Sequence, residues 1–324
     1  MKEIPISAIQ AFRVGHAQDA EHATGCTAIL CAQGAWAGVD VRGGSPASRE
    51  TELLRPVNTV QQIHCVMLSG GSAFGLAAGD GAMAYLEERG AGFDTGFGKV
   101  PIVCGASLFD LALVSSRVRP DRAMGYKACE DAFAEGEPGQ GNIGAGTGAT
   151  VGKLLGGARA MKSGLGIYAA QIGAVQCGAV AAVNALGDVR DYDTGAPLAG
   201  LMTADRAGLA STVEALYGEI GRSRELWGGN TTIGCVVTNG RLDKCQCNKL
   251  ASAAHNGLAQ TIRPVHTTAD GDTMFLMSSG EVEVGVDALG ALVVECVARA
   301  VNRAVLRAEA AYGLKAARDL RAVR

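Results

Sequence analysis

Threonine becomes an effective nucleophile when it stands first in a chain, because its own α-amine can take the hydroxyl proton. That amine has an ordinary pKa of about 7.7–8.0, close to neutral working pH. The segment Gly228-Gly229-Asn230-Thr231-Thr232 could generate such a residue from the interior of the chain. The Thr231 hydroxyl would attack the Asn230 carbonyl carbon and shift the acyl group from nitrogen to oxygen. Water would then hydrolyse the ester and leave Thr231 with a free amine. The two glycines ahead of the junction permit the backbone contortion this needs. The same residues also fit an ordinary loop entering an ordinary strand, and residue types alone leave both readings open.

Other chemistries fail on register. Gly144-Ala145-Gly146-Thr147-Gly148-Ala149 fits a loose dinucleotide fingerprint, but the polar, glycine-rich residues before it supply no strand. A phosphate loop counted back from Lys153 has Thr147 where its first glycine belongs, and Leu154 where a magnesium-binding hydroxyl belongs. Neither Ser72 nor Ser107 has the glycine two residues later that a nucleophile elbow requires. Ser72 reads instead as a helix N-cap. Cys245 and Cys247 stand without a second cysteine pair, and the spacing to His255 and His266 fits no common zinc pattern. No metal or organic cofactor is expected.

The elements that must position Thr231 alternate between strand and helix patterns. Thr27 to Ala32, Ile63 to Leu68, Ile167 to Ile172, Ala174 to Val183, Thr231 to Thr238 and Thr273 to Ser278 read as strands. Ser72 to Arg89, Asp121 to Glu135, Ala204 to Gly221, Asp243 to Ile262 and Val286 to Arg321 read as helices, the last with possible breaks at Gly290 and Gly313. Ile102 to Leu113 is apolar and ambiguous, and Ser223 to Asn230 reads as an exposed polar segment. Neither an internal repeat nor a dividing linker is visible, so the alternation predicts one α/β domain with helices covering the sheets.

Composition narrows the function class. The 324 residues include 46 glycines but only 8 prolines, with 48% hydrophobic and 5% aromatic residues. That is material for a closely packed aliphatic core, not for whole-chain disorder. A net charge of -3 argues against a nucleic-acid partner. The basic series from Arg303 to Arg324 reads as a solvated helix face. The N-terminus lacks a signal-peptide core, and no uninterrupted apolar run is long enough for a membrane span. A cytoplasmic location is the default, in which most of the 10 cysteines would be buried thiols.

Segments spread along the chain carry a family resemblance. They are Arg13–His16, Thr24–Thr27, Asp40–Gly44, Leu68–Leu76, Lys99–Val103, Gly144–Lys153, Val183–Val189, Asn230–Val237 and Val265–Phe275. On these the chain resembles the DmpA-type aminopeptidases and, more closely, the nylon-oligomer (6-aminohexanoate oligomer) endohydrolases. The resemblance implies a four-layer αββα sandwich of the N-terminal-nucleophile-hydrolase type. It implies self-cleavage between Asn230 and Thr231 of a single 1–324 domain, into a large chain 1–230 and a small chain 231–324. It also implies oligomers of processed pairs, often tetramers.

Residue by residue, Thr231 matches the nucleophile, and Asp270 and Asp272 match the acidic pair of the nylon-oligomer hydrolases. The β-aminopeptidases hold Ser and Glu at those two places, so strict β-aminopeptidase activity is not expected. Asn184 matches an oxyanion-stabilising Asn, and Lys153 a basic residue near the nucleophile. The chemistry of these types agrees. Carboxylates two apart on an extended segment share a face and can tune proton transfers at an ammonium and a hydroxyl. Asp-Gly is equally a turn signal. An Asn amide can donate to a developing oxyanion. His64, His255 and His266 read as core or turn residues.

The expected activity is hydrolysis of amide bonds in a small linear substrate, a short peptide or an ω-amino-acid oligomer, through an acyl-enzyme on Thr231. The alternatives are an acyltransferase of the ornithine acetyltransferase type and an unprocessed, non-catalytic binding or structural homologue. Loops 105–111 and 136–144 are expected to shape the substrate pocket; Phe109 and Tyr126 read as core-packing residues at least as well as specificity elements.

Overall fold

A computed structural model describes residues 1–220 and 229–321. Its frame among those residues is a ten-stranded mixed sheet. The strands are β1 (Lys2–Ile4), β2 (Arg13–Asp19), β3 (Thr24–Val41), β4 (Ser48–Arg49), β5 (Gln62–Ser69), β6 (Val103–Ser107), β7 (Leu165–Ile172), β8 (Val175–Asn184), β9 (Thr231–Gly240) and β10 (Thr273–Val282). The order is β1-β7-β8-β9-β10-β3-β5-β6-β4, with β2 on the free side of β3. The β9–β10 and β5–β6 pairs are parallel, and the other pairs are antiparallel.

The sheet doubles back through β3. The first half of this 18-residue strand pairs with β2 and β5, and the second half, Trp36 to Val41, pairs with β10. A register shift falls between Leu30 and Ala35, and Gly34 there has φ +88°, a conformation glycine adopts freely. Two layers therefore face one another across an aliphatic core. Ile29, Ile63 and Val66 from one layer pack with Ile167, Val180, Ile233 and Phe275 from the other.

Period-two alternation turns the other strand faces outward to helices. Ala28, Leu30, Cys65 and Met67 meet α1 (Ala78–Glu88) and α2 (Arg122–Asp131). Tyr168, Ala170, Val236 and Leu276 meet α4 (Lys244–Thr261) and α5 (Val286–Arg307), which follow the short α3 (Thr212–Tyr217). The result is the expected αββα layering. Close approach requires small residues. A Cβ on residue 38 would stand 2.2 Å from the Asn248 nitrogen on α4, and one on residue 166 would stand 2.0 Å from the Ala300 oxygen on α5.

Helix α4 starts where the sequence predicts, because Asp243 and Gln246 form a reciprocal capping box. Other boundaries differ. Ser72 opens a 3-10 turn, Ser72–Ala77, and its side chain caps nothing. That loop is held instead by Asp110, whose Oδ1 accepts from the Gly71 nitrogen at 2.7 Å, and by the Leu108 carbonyl, which accepts from the Ser72 nitrogen. The helix expected over 204–221 is only Thr212–Tyr217 among the described residues. Ser211 caps it, its hydroxyl accepting from the Glu214 nitrogen, and buried Asp188 accepts from the Thr212 and Leu201 nitrogens. Helix α5 runs through Gly290 and ends at Arg307, where Asn142 exchanges hydrogen bonds with Glu309. The chain resumes helix only at α6 (Ala317–Arg321), and Gly313 sits in the turn between. Ile102 to Leu113 contains the short strand β6. The polar segment at 223–230 lies outside the described residues except for Gly229 and Asn230.

Nine cysteines are buried and Cys245 is exposed, all of them unpaired. Burial raises the thiol pKa of Cys31 to about 11 and drives those of Cys26, Cys104 and Cys235 further up, so these are packing residues. No described helix is long and apolar enough to cross a membrane.

Candidate active site

Strand pairing brings the candidate residues together. Asn184 ends β8 and Thr231 begins β9, and the two are register partners. Asn230, just ahead of β9, forms a parallel bridge with Asp270, just ahead of β10. Asp272 then precedes Thr273, the first residue of β10. Lys153 follows a two-residue strand, Thr150–Val151, and its nitrogen donates to the Leu186 carbonyl beyond the end of β8. All five expected residues therefore gather at one end of the sheet. Thr231, Asn184, Asp270 and Asp272 are buried.

The Thr231 hydroxyl donates to the Asn230 carbonyl oxygen, the peptide group it would have to cleave. That oxygen also accepts from the Gly271 nitrogen at 3.0 Å. Gly271 itself cannot carry a side chain without crowding, since a Cβ there would lie 2.8 Å from Thr231 Oγ1. Gly43 is just as tightly placed, with a Cβ position 2.3 Å from the Asp272 nitrogen. The loop around it fixes the acidic segment: the Arg42 nitrogen donates to the Asp272 carbonyl, and the Ser45 nitrogen to that of Asp270.

The carbonyl one residue earlier, that of Gly229, has different donors. Lys153 Nζ reaches it at 2.9 Å and Asn184 Nδ2 at 3.3 Å. Lys153 Nζ also donates to the Asn184 carbonyl at 2.9 Å and to Asn184 Oδ1 at 2.7 Å. Asn184 Oδ1 accepts from the Thr150 nitrogen, and Nδ2 donates to the Phe109 carbonyl. Three acceptors on one nitrogen match an ammonium. Burial nevertheless lowers the Lys153 pKa to about 7, against the raising influence of Asp270, Asp110 and Asp272.

The two carboxylates make separate contacts. Asp270 Oδ2 accepts from the Thr267 nitrogen at 2.9 Å and hydroxyl at 2.6 Å. Burial, reinforced by the nearby charge of Asp272, raises the Asp270 pKa above the usual carboxylate value. Asp272 Oδ1 accepts from the Thr232 nitrogen at 2.6 Å. The segment from Asp270 to Asp272 is extended, bridging to Asn230 and running into β10; the turn lies ahead of it, where the Asp270 nitrogen donates to the Thr267 carbonyl.

Sequence reasoning missed His266 and Asp110. His266 donates to Asp272 Oδ2 from its backbone nitrogen at 3.1 Å and meets it with Nδ1 at 2.8 Å. Its φ of +58° makes that double contact possible. Spacing from Asp272 and the His-Thr-Thr-Ala-Asp-Gly-Asp run were the available signals. His255 stays a core residue, stacked edge-on at 4.8 Å from the His266 ring. Asp110 lines the cavity beside Lys153, accepts from Thr24 Oγ1, and has its pKa raised chiefly by burial.

The site opens on a cavity of about 550 Å³, lined by Phe109, Asp110, Lys153, Arg206, Gly229, Asn230 and the Tyr312–Leu314 turn, among others. Phe109 is an element of this wall, packed where any Cβ on residue 229 would have to go. Tyr126 is not: its ring packs on Tyr85 and its hydroxyl donates to Glu88. Loop 136–144 lines a different cavity near Phe12 and His16. Among the described residues no three His, Cys, Asp or Glu are grouped to hold a metal ion.

The sequence profile of peptidase family S58 matches residues 5–318. The chain belongs to that family. Its relatives include an uncharacterised aminopeptidase of Mycobacterium leprae (strain TN), 39% identical over 338 residues, 95% of this chain and 92% of that protein. A 6-aminohexanoate-oligomer endohydrolase of Agromyces sp. (strain KY5R) is 33% identical over 275 residues, 84% of this chain and 74% of that protein. Two solved structures share the fold. A β-aminopeptidase of a Burkholderia species superposes with a TM-score of 0.68 at 19% identity, covering 96% of this chain and 90% of its own. The L-aminopeptidase D-Ala-esterase/amidase of Ochrobactrum anthropi, a variant of the Ntn hydrolase fold, gives 0.69 at 18%, covering 98% and 93%. Family S58 membership makes this chain a hydrolase of peptide or amide bonds, built on an Ntn-type frame.

Proposed function

We propose that the protein is a self-processing amidohydrolase whose nucleophile is Thr231, freed by cleavage after Asn230. The observation that carries this reading is the hydrogen bond from the buried Thr231 hydroxyl to the Asn230 carbonyl. Attack by Oγ1 on the Asn230 carbonyl carbon forms the C–O bond. The C–N bond then breaks, and the nitrogen takes up a proton. Water hydrolyses the ester, giving chains 1–230 and 231–324. The Gly271 N–H is the donor placed for the oxyanion of this first step.

Once the large chain ends at Asn230, the Gly229 and Asn230 carbonyls can withdraw. Lys153 Nζ and Asn184 Nδ2 are then free to receive a substrate carbonyl in their place. The Thr231 α-amine takes the hydroxyl proton as Oγ1 attacks, and returns it to the leaving amine. An ester on Thr231 results, and water releases the acid. Asp270 and Asp272 stabilise the ammonium that the α-amine becomes, and His266 steadies Asp272.

The substrates are linear amides: short peptides with a free N-terminus, or ω-amino-acid oligomers such as those of 6-aminohexanoate. No cofactor takes part. The working form is a homo-oligomer of processed pairs, a tetramer in the arrangement implied by the family resemblance. The location is cytoplasmic, where nine buried, unpaired cysteines are at home.

Thr231→Ala and Thr231→Ser test the reading. The alanine variant is expected to remain a single chain without amidase activity, and the serine variant to be processed and active. Cleavage in Thr231→Ala would refute the assignment. Transfer of the acyl group to an added amine in preference to water would favour an acyltransferase.

A further inference from the structure

Three charged side chains line the cavity among the described residues: Asp110, Lys153 and Arg206. Two of them are already engaged by the protein. Lys153 spends three donors on carbonyl oxygens, and Asp110 accepts from Thr24 and Gly71. Arg206 differs. Its guanidinium has one partner among the described residues, the Gly313 carbonyl at 2.9 Å, and its buried Nε has no acceptor. An arginine with donors to spare beside a cavity is suited to a carboxylate, which it can take in a bidentate grip.

The backbone around Arg206 is built to hold it there. Arg206 has φ +57°, and Tyr312, on the facing turn, has φ +54°. Non-glycine residues in this region carry strain and concentrate at ligand clamps. The Arg206 nitrogen donates to the Thr203 carbonyl, and the Arg206 carbonyl accepts from Lys315 Nζ at 2.9 Å. The Arg206–Gly313 bond ties the two loops into one wall. A second opening beside it shares Arg206, Gly313 and Leu314 and adds Lys315 and Asp205.

We infer that Arg206 is the anchor for the terminal carboxylate of the substrate, a specificity-determining residue for the proposed hydrolysis and resting on that reading. In any linear peptide or ω-amino-acid oligomer the free carboxylate lies on the amine side of the scissile bond. Arg206 therefore grips the half that leaves first. The substrate class narrows to linear amides with a free C-terminal acid, near enough to the cleaved bond for Arg206 to reach it.

The test compares the linear dimer of 6-aminohexanoate with its C-terminal carboxamide. Wild-type protein is expected to favour the acid by about tenfold or more in kcat/KM, as one charge-assisted contact allows. Arg206→Gln should bring the ratio near one, and Arg206→Lys should keep part of it. Equal rates for acid and amide in the wild type, or an unchanged ratio in Arg206→Gln, would overturn the inference. Calorimetric binding of 6-aminohexanoate against hexylamine, which needs no turnover, separates the two levels. Carboxylate-dependent binding without hydrolysis supports Arg206 and sinks the threonine mechanism; hydrolysis blind to the carboxylate does the reverse.

Discussion

Asn184 and Thr231 stand opposite one another in the antiparallel pairing of β8 with β9, and the Asn184 amide reaches back to the Gly229 carbonyl two residues before Thr231. A last-residue amide on one strand and a first-residue hydroxyl on its neighbour are thus held by the sheet itself. Strands position side chains more precisely than loops do.

Asn184→Ala is expected to lower kcat by on the order of 10²–10³-fold, the usual cost of one oxyanion donor. KM should change far less. Single-turnover kinetics on processed protein checks this, and a loss confined to KM would remove Asn184 from the chemistry.

The pH profile should carry the signature of Lys153. Its ammonium, with a pKa lowered to about 7, is protonated below that value and loses a donor above it. Its contribution to carbonyl polarisation therefore falls as pH rises through about 7. Lys153→Arg keeps its charge throughout, so this descending limb should move out of the measured range. On the acid side the Thr231 α-amine must be neutral to act as base, so the ascending limb belongs to that amine; Asp270, its pKa raised by burial, must also be ionised. A descending limb near 7 that survives in Lys153→Arg would assign it elsewhere.

His266 fixes Asp272 Oδ2 through two contacts from one residue in the left-handed region. His266→Ala frees that carboxylate, and a displacement near 1 Å costs on the order of 10²-fold in kcat. Asparagine tolerates positive φ and offers a donor, so His266→Asn should recover most of the rate. Equal damage from both variants would mean that the imidazole does more than hold Asp272.

Gly271→Ala places a methyl 2.8 Å from Thr231 Oγ1 and equally close to the Ser45 carbonyl. Chain cleavage is expected to slow at least about tenfold, as a 1 Å displacement of a reacting group can cost more than that. The circular dichroism spectrum should keep its αβ shape. Normal cleavage in a folded Gly271→Ala protein would show that Oγ1 does not act from this position.

Much of this site was legible in the residues. Thr231 follows glycines and opens a β-branched run, and Asp243 with Gln246 announces the start of α4. What escaped is tertiary. Asp188 holds the first residue of α3 across 24 residues of sequence and Asn142 meets the chain beyond α5 across 167, contacts that no local pattern records. Ser72 resembles an N-cap, yet Asp110 from a distant loop supplies the hydrogen bond there. His266 and Arg206 gain their meaning from positive φ and from neighbours brought by the fold. Some glycines serve as contact points, as Gly38 and Gly166 do under α4 and α5.

Intact mass of freshly purified protein under denaturing conditions, with the N-terminal sequence of each species, tests the central claim most directly. The account predicts two chains, one ending at Asn230 and one beginning Thr231-Thr232-Ile233. A single full-length chain that hydrolyses amides, or cleavage at any other bond, would contradict it.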